Sequence, residues 1–461
     1  MQGLIWTAVL WTLAVAFLRF PGLPPRLRDL SRGLGREHAV LILIMLTTHA
    51  RADRLGVEDT LANPFVAETL ARAALSLAAL LVLLPMFVPV ARLARSMRLR
   101  RYGMLALGAY GAVALLSVTY SVAPLVTAGK VLELGITLGL AWVLLARADA
   151  ADALKRTVTL LLYLEGALIL VAVIGFFVVP SIFSADLSRR GFFFRGTMLS
   201  PFSGPNALSS VGATLAAFGF AQFLSVSPRR QARPWLWLAV LGTSSTMLAS
   251  GRQGVAIWVV SFAALLFVYR RLLFMLFIAP LGGAVVALYL RQILEVLSRD
   301  QVQGSLDTLT GRTTFWAAGV RAWLAEPITG YGFGAGGRFV ALKSIGADQF
   351  THLHNGFLEA LTGVGLIGFI PFMYAVFRLV VWAARSLLRR VDAPFAILPI
   401  PLILQNLVGL GFGAWLNVNL MLFVLLVALA DAEGIRPPPR RRGRGRITTS
   451  RRPSSGQRTG R

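Results

Sequence analysis

The stretch HNGFLEALTGVGLIGFIPFMYAVFRLVVWAARSLLRR, residues 354–390, decides how the chain folds. It opens on a polar pair, His354-Asn355, and between Gly356 and Ala383 carries only Glu359 and Arg378 as charged residues. It closes on the basic run RSLLRR, 385–390. A run this long and apolar crosses a bilayer as a helix, with a basic anchor at its far end. The rest of the chain repeats the pattern. Of 461 residues, 56% are hydrophobic and 14% charged, and the mean hydropathy is +0.70. That leaves too little polar surface to cover a water-soluble globule. Alternating strand patterns are absent, so helices rather than a barrel satisfy the backbone in lipid.

The expected spans are 3–19, 38–50, 69–90, 102–120, 124–146, 157–180, 205–226, 235–250, 254–269, 272–290, 356–383, 395–412 and 415–431. The fold class is therefore all-α, a polytopic transmembrane helical bundle of about 12–13 spans. The first apolar stretch lacks a basic leader and a small-residue cleavage site, and reads as a retained span. The net charge of +26 concentrates in short loops (92–101, 147–156, 228–233, Arg270-Arg271, 385–390) and in the tail RPPPRRRGRGRITTSRRPSSGQRTGR, 436–461. From the third span onward these loops fall on one side, which the positive-inside rule makes cytoplasmic. The distribution points to anionic lipid headgroups and not to nucleic acid. Residues 1–433 form the membrane domain, and 434–461 a disordered basic cytoplasmic tail. There is no cysteine, hence no disulfide and no thiol chemistry.

The opposite face receives 181–204, the tight turn SGRQG (250–254), and one long external loop, 291–355, with short helices expected near 291–303 and 313–325. Arginines on this face oppose the positive-inside bias, and each can simply snorkel to headgroups. Arg195 and Arg252, both beside glycines, together favour an anion site, because guanidinium grips phosphate bidentately and keeps its charge. At an outer membrane face the large anion to expect is the diphosphate of a lipid-linked substrate. Arg312, Arg321 and Arg338 follow in the long loop as further substrate-binding candidates.

Two of the four histidines, His352 and His354, lie two apart just before the long helix. A metal site would need Asp348 or Glu359 as a third ligand, and His-x-His alone is a weak metal signature. No Asp-x-Asp pair occurs in the external loops to hold a divalent cation. A neutral imidazole beside guanidinium groups suits a general base, since neighbouring positive charge lowers its pKa. Asn355 can cap the helix or leave its N-terminus open to an anion. Glu359 can orient an imidazole, accept from an acceptor hydroxyl, or pair with an arginine. Gly363, Gly365 and Gly368 read as close helix packing.

The segments RGTMLSPFSGPN (195–206), SGRQG (250–254), GRTTFWAAGVRAWLAEPITGYGFG (311–334) and HNGFLEALTGVGLIG (354–368) together resemble the bacterial O-antigen ligase and O-antigen polymerase superfamily. His354, Asn355, Gly365 and Gly368 match its His-Asn-x9-Gly-x2-Gly pattern, and Arg312, Trp316, Pro327, Gly330 and Gly332 the upstream R-x3-W…P-x2-G-x-G element. The sequence departs from the family at SPFSGPN and at SGRQG, which stand where Gly-Asn-Pro-Asn and Ser-Arg-Gly are commoner. The resemblance implies a membrane glycosyltransferase, metal-independent, inverting and without cofactor. Its donor would be an undecaprenyl-diphosphate-linked glycan at the outer face of the bacterial cytoplasmic membrane. Its acceptor would be a lipid-A-core-type or second lipid-linked glycan. It also implies that Arg195 and Arg252 hold the diphosphate and that His354 is the catalytic base; His352, Asn355 and Glu359, read from their position beside it, are further substrate-binding candidates. The alternative is a polyprenyl-phosphosugar flippase or exporter without covalent chemistry.

Overall fold

The computed structural model describes residues 35–49, 67–94, 102–190, 195–200, 203–227, 229–269, 312–347, 350–409, 411–413 and 416–434. The expected spans 3–19 and 272–290, the short helix near 291–303 and the basic tail lie outside them. The described chain is helical: α1 (Arg36–His49), α2 (Ala67–Ala94), α3 (Tyr102–Leu116), α4 (Pro124–Leu145), α5 (Ala150–Val178), α6 (Pro205–Ser225), α7 (Arg229–Leu248), α8 (Arg252–Val268), α9 (Arg312–Ala325), α10 (Gly356–Arg389), α11 (Pro399–Val408) and α12 (Val418–Gly434). Among the described residues, six helices are long and apolar enough to cross a membrane, lying in α2, α3 with the turn after it, α4, α5, α6 and α10. The chain is a multi-pass membrane protein built as an all-α bundle.

Helices α5, α7 and α10 run past the expected spans into polar sequence, α7 starting at Arg229 and not 235. Helix α5 begins at Ala150, not 157, because its first turns find ion partners: Lys155 pairs with Asp392 and Glu433, each at 2.6 Å, and Arg156 with Asp149 at 2.5 Å. Helix α10 continues to Arg389, since arginines extend a helix beyond the hydrocarbon while their stems stay against it. The segment between α5 and α6 holds a feature that the sequence reading did not anticipate. It is an antiparallel hairpin of β1 (Ser184–Arg190) and β2 (Arg195–Met198), pairing Ser184 with Met198, Ala185 with Thr197 and, after a shift of register, Arg190 with Arg195.

Helix α12 is the axis of the bundle. Every residue from Val418 to Ala432 is buried, the signature of a helix apolar all round that sits inside the fold. An aromatic stack locks it to α3 and α10. Phe412 and Phe423 lie face to face at 4.1 Å, Phe372 closes on Tyr110 at 5.1 Å, and the Tyr110 hydroxyl donates to the Gly413 carbonyl at 2.5 Å. At one end of α12, Asp431 accepts the backbone N–H groups of Gly103 and Met104 that open α3, and Arg378 of α10 reaches it at 3.4 Å. His352, His354, Asn355 and Glu359 lie at the other end of α10.

Candidate active site

Helix α10 is broken. Gly365 has φ +58°, outside helical space, and a Cβ there would collide with the Ile328 carbonyl. The freed backbone groups are taken up by the segment before the helix. Leu366 N–H donates to the Pro327 carbonyl (3.0 Å), Ile367 N–H to Ile328 (3.3 Å), and Tyr331 and Gly332 N–H to the carbonyls of Thr362 and Gly363 (3.0 and 2.9 Å). The two motifs read separately in the sequence are thus one unit, the proline-glycine turn clipped onto the glycine break. Helix packing was the expected use of these glycines. Gly368 does meet Val113 of α3, but Gly363 and Gly365 admit loop backbone instead.

The short arm ahead of the break carries the site. Asn355 caps it, its Oδ1 accepting from Phe357 and Leu358 N–H at 3.0 Å each. Its carboxamide oxygen is thereby committed to the helix. Leu353, fully buried, anchors a small core with Ala318, Ala341 and Leu342, and Gly319 leaves it room. Trp316 Nε1 donates to the Leu353 carbonyl at 3.1 Å, and the buried Glu359 carboxylate accepts the Leu353 N–H. Glu359 therefore braces the turn before His354 through the backbone. Held from both sides, the chain turns at His354 into the left-handed region, φ +56°, which a residue with a Cβ enters only at a cost.

The imidazole of His354 lies parallel to Phe315, centroids 6.3 Å apart, and 4.2 Å from the ring of His352, whose Nδ1 shares a 2.8 Å hydrogen bond with Thr351. Burial, and then the positive charge of Arg312, push the His354 pKa down to about 4. At neutral pH the ring is uncharged and has a lone pair to offer. Arg312 opens α9 and donates to the Val408 carbonyl at the end of α11. Burial and the neighbouring charge of Arg252 lower its pKa in turn, so Arg252, Arg312 and His354 form one electrostatic group.

Arg252 is positioned by its own strained turn. Ser250 also has a left-handed φ, +49°, and Ser209 of α6 accepts no side chain larger than glycine beside it at 251 and 254. The Ser209 hydroxyl donates to the Gly251 carbonyl at 3.1 Å. Asn206, from the SGPN turn, lies against Gly251, so the segments 203–206 and 250–254 meet at the N-terminus of α8.

Arg195 lies in β2 opposite Arg190, and its side chain is outside the described residues, as is Asp348. Arg321 is exposed on α9, nine residues and so about 180° around the helix from Arg312. Arg338 sits elsewhere, in a π-helical turn (Gly336–Leu342) where its charge acts on Lys130 of α4. Among the described residues, no three His, Asp or Glu side chains are grouped to hold a metal ion.

Sequence reasoning missed the contribution of α11. Gln253 donates to the Gln405 carbonyl at 3.4 Å, and Gln405 in turn donates to Thr214 of α6 at 2.9 Å. Asn406 is fully buried against Gly356 and Gly411, its Oδ1 accepting from Phe412 N–H at 2.8 Å. Two adjacent carboxamides inside the apolar run 395–412 were the available signal, since buried amides in a membrane helix need partners.

A comparison with the curated proteins returns no match. Residues 235–373, from α7 through the glycine break of α10, match the family model described as O-antigen ligase. This stretch carries Arg252, Arg312 and His354, and through it the resemblance to the O-antigen ligase and polymerase superfamily is borne out.

Proposed function

We propose that the protein transfers a glycan from a polyprenyl-diphosphate lipid to an acceptor hydroxyl, at the outer face of a bacterial cytoplasmic membrane, with inversion and without a metal ion. The observation that carries this reading is that the segments bearing Arg252, Arg312 and His354 meet at one end of α11: Gln253 and Arg312 donate to its Gln405 and Val408 carbonyls, and Gly356, two residues after the backbone-strained His354, packs on its Asn406. Two guanidinium groups suit a diphosphate; an imidazole that stays neutral among cations suits a base. The resemblance adds Arg195 as a further diphosphate ligand.

In the reaction, the acceptor O–H gives its proton to His354 as its oxygen bonds to the anomeric carbon. The bond from that carbon to the diphosphate oxygen breaks, and its electron pair leaves with the diphosphate, stabilised by the guanidinium groups. Because the leaving group is already a stabilised anion, no second acid is needed, in contrast to glycosidases. A base of low pKa is sufficient, since the acceptor proton becomes acidic only as the new bond forms. The bound diphosphate also offsets the charge of Arg312 and raises the imidazole pKa at the moment of use.

The orientation follows from the charge distribution. The cations Arg147, Lys155 and Arg378 pair with Glu37, Asp392, Glu433 and Asp431 at the end of the bundle away from His354. With the basic loops of the sequence, that end is the cytoplasmic one, together with the tail 434–461; the loop 291–355 forms the extracytoplasmic subdomain. Purified protein in vesicles, supplied with a polyprenyl-diphosphate glycan and an acceptor lipid, tests the reading. Covalent product is expected. Movement of the donor across the bilayer with no product would favour the exporter alternative.

A further inference from the structure

Helix α9 buries one side and leaves the other open. Ala318 and Ala322 pack on the small core around Leu353. Val320 and Leu324, one turn apart, are exposed, and so is Ile328 in the turn that follows the helix. Leu324 is 62% and Ile328 60% accessible.

The level of this apolar edge in the membrane follows from its bonds to α10. Leu366 and Ile367 donate to the carbonyls of Pro327 and Ile328, so the turn lies beside the first residues after the glycine break. Those residues belong to the crossing part of α10, where the exposed Ile367 and Ile370 face lipid. From Ile367 to the basic anchor at Arg385 is 18 positions. That is about 27 Å of helix, close to the ~30 Å thickness of the hydrocarbon. Ile367 therefore stands at the far edge of the hydrocarbon, and Ile328 stands with it.

The backbone of the turn is finished as lipid requires. Non-helical chain at membrane depth must satisfy its polar groups within the protein, whereas a loop in water can leave them to solvent. Besides the bonds to α10, Trp323 Nε1 donates to the Pro327 carbonyl at 3.2 Å, and the Tyr120 hydroxyl to Thr329 at 3.0 Å. Val122 N–H donates to the Tyr331 carbonyl at 3.1 Å, and Gly330 N–H to Glu326 at 3.2 Å. Trp323 and Tyr120 are amphipathic rings of the kind that gather at a membrane interface. Arg321 and Glu326, exposed on either side of Leu324 in sequence, keep the insertion shallow.

We infer that the C-terminal half of α9 and the turn 326–331 are seated in the lipid leaflet on the His354 side. Val320, Leu324 and Ile328 lie among acyl chains just below the headgroups, and Arg321 reaches up to the headgroup phosphates. Lipid is the occupant because this face continues, through the bond between Ile367 and Ile328, the lipid-facing surface of α10. The inference stands apart from the transferase reading and needs only a multi-pass membrane protein. Its consequence is that α9 is tied down at both ends. Arg312 opens it on the Val408 carbonyl, and Leu324, 12 positions and about 18 Å along the helix, holds it in lipid.

The chain has no cysteine, so single introduced thiols report on their own positions. Leu324→Cys and Ile328→Cys are placed in the full-length protein in phosphatidylcholine nanodiscs, which leave both membrane faces open to reagent. Ser344→Cys, exposed beyond the π-helical turn, is the water control, and Ile370→Cys the lipid control. A membrane-impermeant maleimide, with rates normalised to those in SDS, is expected to label Leu324→Cys and Ile328→Cys about tenfold more slowly than Ser344→Cys, since thiol reactivity follows exposure. Bimane attached at either position is expected to lose fluorescence when brominated phosphatidylcholine replaces the ordinary lipid, as at Ile370→Cys. Labelling at the Ser344→Cys rate overturns the inference and puts the turn in water. Slow labelling with a bimane that the brominated lipid leaves unquenched also overturns it, and assigns the face to a protein contact.

Discussion

Trp316 donates its indole N–H to the carbonyl of Leu353 at 3.1 Å, and so fixes the residue immediately before His354 from a helix 37 positions away in sequence. The bond, with the Glu359 carboxylate on the N–H of the same residue, holds both peptide groups that flank the Leu353 Cα. His354 inherits its direction from that clamp.

Trp316→Phe keeps the ring packing and removes the donor. A buried carbonyl left without its partner costs about 1–3 kcal/mol. Because the loss falls on the turn that orients the imidazole, we expect kcat to fall by about tenfold, with donor KM little changed and the purified protein still monodisperse.

Gly365→Ala tests the break in α10. The new Cβ would need a left-handed φ and would collide with the Ile328 carbonyl. The strain alone is about 1–3 kcal/mol, before the steric clash is added. We expect a lower thermal midpoint in detergent and loss of activity, while Gly368→Ala, which needs no left-handed φ and meets only the side chains of Val364 and Val113, gives a milder effect.

Asn355→Ala removes the cap of α10, worth about 1 kcal/mol, and Asn355→Asp keeps it. A lower midpoint for the alanine variant alone separates capping from substrate binding. A loss of activity in both would instead assign Asn355 to the substrate.

The pH dependence has a definite sign. Burial first, and the charge of Arg312 second, hold the His354 pKa down, so the base is lost only as pH falls toward about 4 in the free enzyme. Arg312→Gln lifts that restraint, and the acidic limb of the kcat/KM profile should move to higher pH. Arg312→Lys keeps the charge, and should leave the limb where it is while weakening diphosphate binding. A limb that does not move in Arg312→Gln means that the limb reports another group.

The bundle was legible in the sequence because bilayer physics is written as composition: long apolar runs bounded by basic loops leave little choice. The arm of α10 was legible in part. His354, Asn355 and the glycines could be picked out, but the clip between Pro327 and Leu366 depends on backbone groups that no residue type announces. Glu359 illustrates the same limit, since a carboxylate one turn into a helix looks equally able to meet an imidazole, an arginine or a peptide N–H. The hairpin 184–198 lacked alternation, so its pairing was invisible beforehand. Arg338 stood with Arg312 in one loop of the sequence, and only the fold separates them onto different helices.

The central claim is that His354 takes the acceptor proton beside Arg252 and Arg312. Its most direct test is single-turnover glycan transfer in vesicles by wild type and His354→Ala, with donor binding measured on the same preparations. His354→Ala is expected to bind the polyprenyl-diphosphate donor as wild type does and to form no glycan product. Product formed at the wild-type rate by folded His354→Ala would contradict it.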